Sequence, residues 1–175
     1  IRVALPSLAK TLLVKASELT PSGNKKTLDI RQFVFTDDEQ KVLLFTNTKR
    51  VWRLETRGDY WVLDRRTAKL QQLGKERPAS SLMFAKFSPD GLSVAYVSDY
   101  NIYVEELSSG ISRALTKDGN RKFINGTFDW VYEEEFFCRD GFRWSPDSKK
   151  IAFWQIDARN TKDYLMINNT DSIYP

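Results

Sequence analysis

FSPDGLSVAYV, residues 87–97, reads as a strand ending on an aromatic, a tight turn carrying Pro, Asp and Gly, and a return strand rich in valine and aromatics. The phrase occurs twice more without gaps, as FTDDEQKVLLF at 35–45 and WSPDSKKIAFW at 144–154. Each copy runs aromatic, Ser or Thr, any residue, Asp, three turn residues, a β-branched residue, then apolar and aromatic positions. It is a β-hairpin made three times, with starts 52 and 57 residues apart. A further strand signal follows each copy: GDYWVLD at 58–64, YNIYVEEL at 100–107 and DYLMINN at 163–169. This spacing suits antiparallel blades, so the expected fold is all-β, a β-propeller fragment of about three four-stranded blades with a short helical insertion. A sandwich has no reason to repeat one hairpin phrase at this interval.

The expected division is one propeller domain over 1–175, with blades at roughly 30–80, 81–122 and 140–175 and an insertion at 123–139. The opening stretch 5–23 suits helix or strand equally. Three blades do not close a ring, and an open stack leaves faces and edges unprotected, so further blades are expected outside these residues.

Composition sets the frame. With 175 residues, 41% hydrophobic and 13% aromatic, the chain can bury a core and lacks the signature of disorder. Its apolar runs, such as Val42 to Phe45, are far shorter than the roughly 20 residues a membrane span requires. Residue 1 is Ile and no signal-peptide pattern opens the chain, which reads as a fragment. The single cysteine, Cys138, excludes an internal disulfide and reads as a small buried apolar residue.

Charge is uneven: residues 1–75 carry a net +7 and residues 76–175 a net −3, within a total of +4. Lys49, Arg50, Arg53 and Arg57 around Trp52 combine cations with a stacking ring, as nucleic-acid binders do. The stretch alternates like a strand with a solvated basic face, and no nucleic-acid partner is expected. Arg57-Gly58-Asp59 falls in a strand-like run rather than an adhesive loop. Asn125-Gly126-Thr127 and Asn168-Asn169-Thr170 are sequons that matter only in a secretory protein.

The chemistry concentrates in FINGTFDWVYEEEFFCRDGFRWSPD, residues 123–147, between the second and third blades. Neighbouring residues are offset by about 100° on a helix and 180° on a strand. Adjacent carboxylates therefore meet one small cation only where the backbone bends or a short helical turn presents them, and Asp129 suits the cap of such a turn. Carboxylates held together repel, which raises a pKa unless a cation such as an ammonium joins them. A calcium site from Glu133, Glu134, Glu135 and Asp140 is conceivable, but no loop has the spacing of a calcium loop. No metal and no cofactor are expected.

NGTFDWVYEEE closely resembles the glutamate motif in the propeller of the dipeptidyl peptidase IV group, within the prolyl oligopeptidase family of serine peptidases. TKRVWRLETRGDYWVLD, residues 48–64, resembles the segment carrying that group's substrate-binding arginine, and SDYNIYVEEL, residues 98–107, resembles a blade strand. The resemblance covers most of 33–175. It implies an N-terminal propeller domain in which Glu134 and Glu135 hold the free α-ammonium of a peptide and Arg53 hydrogen-bonds a substrate carbonyl, so that dipeptides are released. Glu133, Tyr132, Asp129 and Trp130 take supporting places. It also implies a homodimeric parent and a periplasmic, cell-envelope or secreted location.

One departure matters. The chain has no histidine and no G-x-S-x-G elbow, so a Ser-His-Asp triad is not contained in it. This chain alone is expected not to hydrolyse peptides, the catalytic α/β-hydrolase domain lying outside it. The alternative from another class is a non-enzymatic propeller serving as a binding or scaffolding module. That alternative leaves unexplained why Arg53 and the glutamate triplet occur together.

Overall fold

The computed structural model describes residues 1–165 and 170. A ribbon of β1 (Arg2–Val3) and β2 (Lys10–Thr11) and a 3-10 turn at Ala16–Leu19 lead in. The first sheet follows as β3 (Ile30–Phe35), β4 (Lys41–Val51), β5 (Leu54–Asp64) and β6 (Lys69–Gln72), all antiparallel and in spatial order. The second is β7 (Met83–Phe87), β8 (Ser93–Ser98), β9 (Asn101–Glu106) and β10 (Ser112–Ala114), again a meander. Then come β11 (Phe123–Asn125), α1 (Trp130–Phe136), β12 (Phe142–Trp144), β13 (Ile151–Phe153) and β14 (Gln155–Asp157). The fold is all-β with one short helix, a β-propeller fragment.

All three copies of the phrase form the same hairpin, β3–β4, β7–β8 and β12–β13. Two belong to four-stranded sheets. Among the described residues the third pairs only with itself, while β14 crosses back to β11, at the head of the expected insertion. Of the expected strand at 163–169, residues 163–165 carry no strand and 166–169 lie outside the described residues.

The turns explain why the phrase repeats. The Ser88 hydroxyl donates to Asp90 at 2.6 Å and accepts from the Ser93 N–H at 3.0 Å, and Asp90 accepts from the Leu92 N–H at 3.0 Å. Thr36, Asp38, Lys41 and Gln40 make the same set, as do Ser145, Asp147, Lys150 and Lys149. Hydroxyl and backbone donors hold all three aspartates below the usual carboxylate range, the hydroxyl contributing most. The residue after each aspartate has positive φ: Glu39 at 56°, Gly91 at 67° and Ser148 at 60°. Only Gly91 adopts this region without steric cost.

Alternation along the return strands decides what each face meets. Leu43 and Phe45 of β4 and Tyr60 and Val62 of β5 pack on Leu82, Val94 and Tyr96 of the second sheet. Val42 and Leu44 point the other way, against Val14, Leu19 and Leu28 of the lead-in. In β8, Ala95 and Val97 turn toward Phe142 of the third hairpin. Both faces are covered, which is why these runs read as nearly continuous apolar sequence. The sheets also join through backbone, since Gly58 and Leu82 exchange two hydrogen bonds of 3.0 Å. A Cβ on Gly58 would lie 2.4 Å from the Phe45 ring and 2.6 Å from the Thr46 carbonyl. The Arg-Gly-Asp triplet is thus strand packing. Asn125 is fully buried and bonds Asp118 at 2.9 Å and Gln155 at 2.7 Å, so its sequon is closed to modification in the folded chain. The second sequon falls largely outside the described residues.

Candidate functional site

Beyond Thr46 and Asp59, β4 and β5 leave the sheet as an arm whose ladder shifts register between Thr46 and Lys49 and again before Arg50. Its tip is the pair Trp52–Arg53, with Trp52 at φ 52°, a left-handed conformation that costs a bulky residue strain. The Trp52 ring is exposed and Arg53 is directed away from the arm toward α1.

The helix is framed as the residues dictate. Asp129 is the N-cap, accepting from the Tyr132 N–H at 3.1 Å, and Phe137 closes the far end at φ 56°, its N–H donating to the Tyr132 carbonyl. Along one turn the three glutamates fan over about 200°, so Glu133 and Glu135 face different surroundings while neighbours stay about 100° apart. Glu133 is 4% exposed, with Oε1 3.6 Å from Arg139 Nε. Burial raises its pKa, the Arg139 charge pulls it back, and the Glu134 charge adds to the rise. Glu134 is half-buried as a residue through its backbone, whereas its side chain is only 6% exposed. Its Oε2 is ion-paired with Arg53 Nε, across 81 residues of sequence, and its Oε1 is buried without a hydrogen-bond partner. Glu135 is exposed.

The structure therefore brings Arg53 and Glu134 together and leaves Glu135 open beside them. Tyr132 lies between Phe128 and Phe136 with its ring tilted to both, centroids 5.6 and 5.7 Å apart. Trp130 is half-exposed and lines, with Asp129 and Glu133, a cavity of about 900 Å³ between α1, the arm and the second sheet. Arg139 is the residue that sequence reasoning missed. Its signal is the lone cation just after the acidic triplet, but only the helix and its left-handed end turn it back under Glu133. Asp140 is engaged by Lys86 and by Arg143 at 3.1 Å, and among the described residues no cluster of three or more ligand-type side chains is placed to hold a metal. Cys138 is half-buried, its thiol 3.5 Å from the Phe136 carbonyl. No described helix is long and apolar enough to cross a membrane.

Comparison with known proteins identifies the family and the fold. Dipeptidyl aminopeptidase B of Saccharomyces cerevisiae is 33% identical over 157 residues, which covers 87% of this chain and 19% of that protein. A probable dipeptidyl-aminopeptidase B of Talaromyces marneffei is 38% identical over 128 residues, covering 73% of this chain and 14% of that protein. The crystal structure of Porphyromonas gingivalis dipeptidyl peptidase 4 superimposes with a TM-score of 0.79 and 29% identity, over 93% of this chain and 23% of that one. The chain thus spans less than a quarter of the length of each. Residues 36–175 match the family described as the dipeptidyl peptidase IV (DPP IV) N-terminal region, and the chain belongs to that family.

Proposed function

We propose that this chain is the substrate-recognising part of a serine-type dipeptidyl aminopeptidase, in which Glu134 and Glu135 hold the α-ammonium of a peptide. The observation that carries this reading is the buried, unpartnered Oε1 of Glu134 next to the Arg53 ion pair. A desolvated carboxylate oxygen without a donor is costly, and an ammonium supplies three donors. At pH 7 an α-amino group, titrating near 7.7 to 8.0, and an ordinary carboxylate, near 4.3, are mostly of opposite charge. Their hydrogen bonds are charge-assisted, about twice as strong as neutral ones. Arg53 uses Nε on Glu134, and its side chain is 83% exposed, which leaves its remaining N–H groups for a substrate carbonyl. An amine fixed at α1 limits how far a peptide enters, which selects release of dipeptides. The bond-breaking residues belong to a hydrolase domain outside this chain.

The test is kcat/KM of the full-length protein on a peptide with a free or an acetylated amino terminus. Removing one partner of a desolvated charge pair costs about 2 to 5 kcal/mol. At 1.4 kcal/mol per decade, acetylation should lower kcat/KM by about 30-fold to several thousandfold. Glu134→Ala or Glu135→Ala should do the same and gain little further loss from acetylation, because both remove one interaction. Equal cleavage of the two peptides would end this reading.

A further inference from the structure

The arm carries a charge arrangement that the amine site does not use. Lys49 and Arg57 are direct cross-strand partners, and like charges facing one another across an antiparallel pair oppose the pairing. Among the described residues neither forms an ion pair with an acidic side chain, and nor does Arg50. The arm's own carboxylates are engaged elsewhere. Glu55, opposite Arg50 in the ladder, bonds Arg31 at 3.0 Å and the Thr48 hydroxyl at 2.8 Å. Asp59 accepts from the Ser80 N–H at 2.6 Å and from Asn47 at 2.7 Å.

Lys49, Arg50 and Arg57 form one wall of the 900 Å³ cavity whose far wall is α1, and Arg77 joins them from the second sheet's approach. Acidic groups across the cavity do not neutralise this wall: Asp129 caps the helix, Glu133 faces Arg139, and Asp163 holds Arg121 and Lys122. Asp99 is the remaining carboxylate that lines it. A concave basic surface focuses its field on an incoming anion more than the same charges on a flat strand face do.

We propose that this wall is a subsite for a carboxylate of the bound peptide, so that peptides with an acidic residue shortly after the amino terminus are preferred. The inference rests on the amine site proposed above. Arg57 lies on β5 four residues past Arg53, which immediately precedes that strand, about 13 Å at roughly 3.3 Å per residue. An extended peptide anchored by its amine at Glu134 covers that distance in about four residues. The acidic side chain is therefore placed at positions three to five. The carboxyl terminus of a very short peptide offers the same chemistry from another source.

The experiment measures kcat/KM of the full-length protein on free-amine, carboxyl-amidated peptides that differ only in Glu or Gln at position four. The Glu peptide should be favoured about 2- to 5-fold, the upper range of a solvent-exposed charge contact, and the ratio should fall as salt is raised. In Lys49→Ser/Arg57→Ser the ratio should fall to about one, and Arg57→Glu should reverse it. Rates on the Gln tetrapeptide with a free against an amidated carboxyl terminus separate the two sources. Equal rates on Glu and Gln peptides with either terminus, or a preference that survives the double substitution, would overturn the proposal. So would tight binding of a single-stranded oligonucleotide lost in the double variant, which would assign the wall to nucleic acid. Acetylated versions of both peptides keep the readings apart: a failed amine site leaves rates unchanged on acetylation, while the Glu-to-Gln ratio is still read.

Discussion

The interface between the first two sheets and the contact between the arm and α1 are each built by side chains reaching across from separate elements, and they treat polar groups oppositely. In the interface, Glu105 is 4% exposed yet accepts from the Gly74 N–H at 2.8 Å and the Tyr96 hydroxyl at 3.4 Å. Among the described residues, the buried side-chain atoms with no hydrogen-bond partner are Thr56 Oγ1 on the arm, Glu133 Oε1, Glu134 Oε1 and Arg139 Nε. All four sit at the arm and α1. Buried polar groups are nearly always paired, and departures from local consistency gather where function needs them. The sheets are finished as packing; the arm and helix keep buried polar atoms without a hydrogen bond.

The strongest way to break this contrast is to attack the packed side. Phe45→Ala removes a ring that stacks on Tyr60 with centroids 4.6 Å apart and lies 4% exposed between the sheets. It should cost about 3 to 5 kcal/mol in urea unfolding. A loss under about 1 kcal/mol would mean that the sheets do not depend on this interface.

A smaller effect is expected at the repeated turn. Ser88→Ala strips the hydroxyl that joins Asp90 to the returning strand and should cost about 1 to 3 kcal/mol. Because that hydroxyl lowers the folded pKa of Asp90, its stabilisation is present above the ordinary aspartate range and is lost as pH falls through the lowered value. The gap between wild type and variant should narrow in acid. A gap independent of pH would assign the loss to packing alone.

The smallest effect belongs to the unfinished side. Glu133 has a raised folded pKa, so its contribution is fully present below the unfolded value near 4.3 and is lost as pH rises through the raised one. Glu133→Gln should therefore gain on wild type as pH rises from about 4. Denaturation midpoints that stay parallel across that range would show that Arg139 already neutralises the carboxylate.

The hairpins were legible because each is closed by its own Ser or Thr and Asp within a few residues; the apolar run of the return strand marks two covered faces in the first two, while in the third Ala152, Phe153 and Trp154 are exposed. The strands around the third hairpin were less legible. The pairing of β14 with β11 spans the helix, and nothing local in Phe123–Asn125 announces its partner. At the site, Asp129 and the acidic triplet spelled a capped turn, and Arg53 was placed by resemblance. Neither Arg139 beneath Glu133 nor Lys49 opposite Arg57 could be read from spacing, since one depends on a left-handed phenylalanine and the other on two register shifts in the ladder.

That ladder divides β4 and β5 into two halves with different futures under mutation. From Lys41–Asp64 to Thr46–Asp59 the pairing is regular, and a one-residue insertion there would turn the core side chains to the wrong face. Past Thr46 the register is already broken, so a change of length stays local. A lineage can lengthen, shorten or recharge the arm while the sheets beneath it keep their packing. On the function proposed above, new peptide preferences in relatives of this chain are expected to be written in the arm, one indel or one charge at a time.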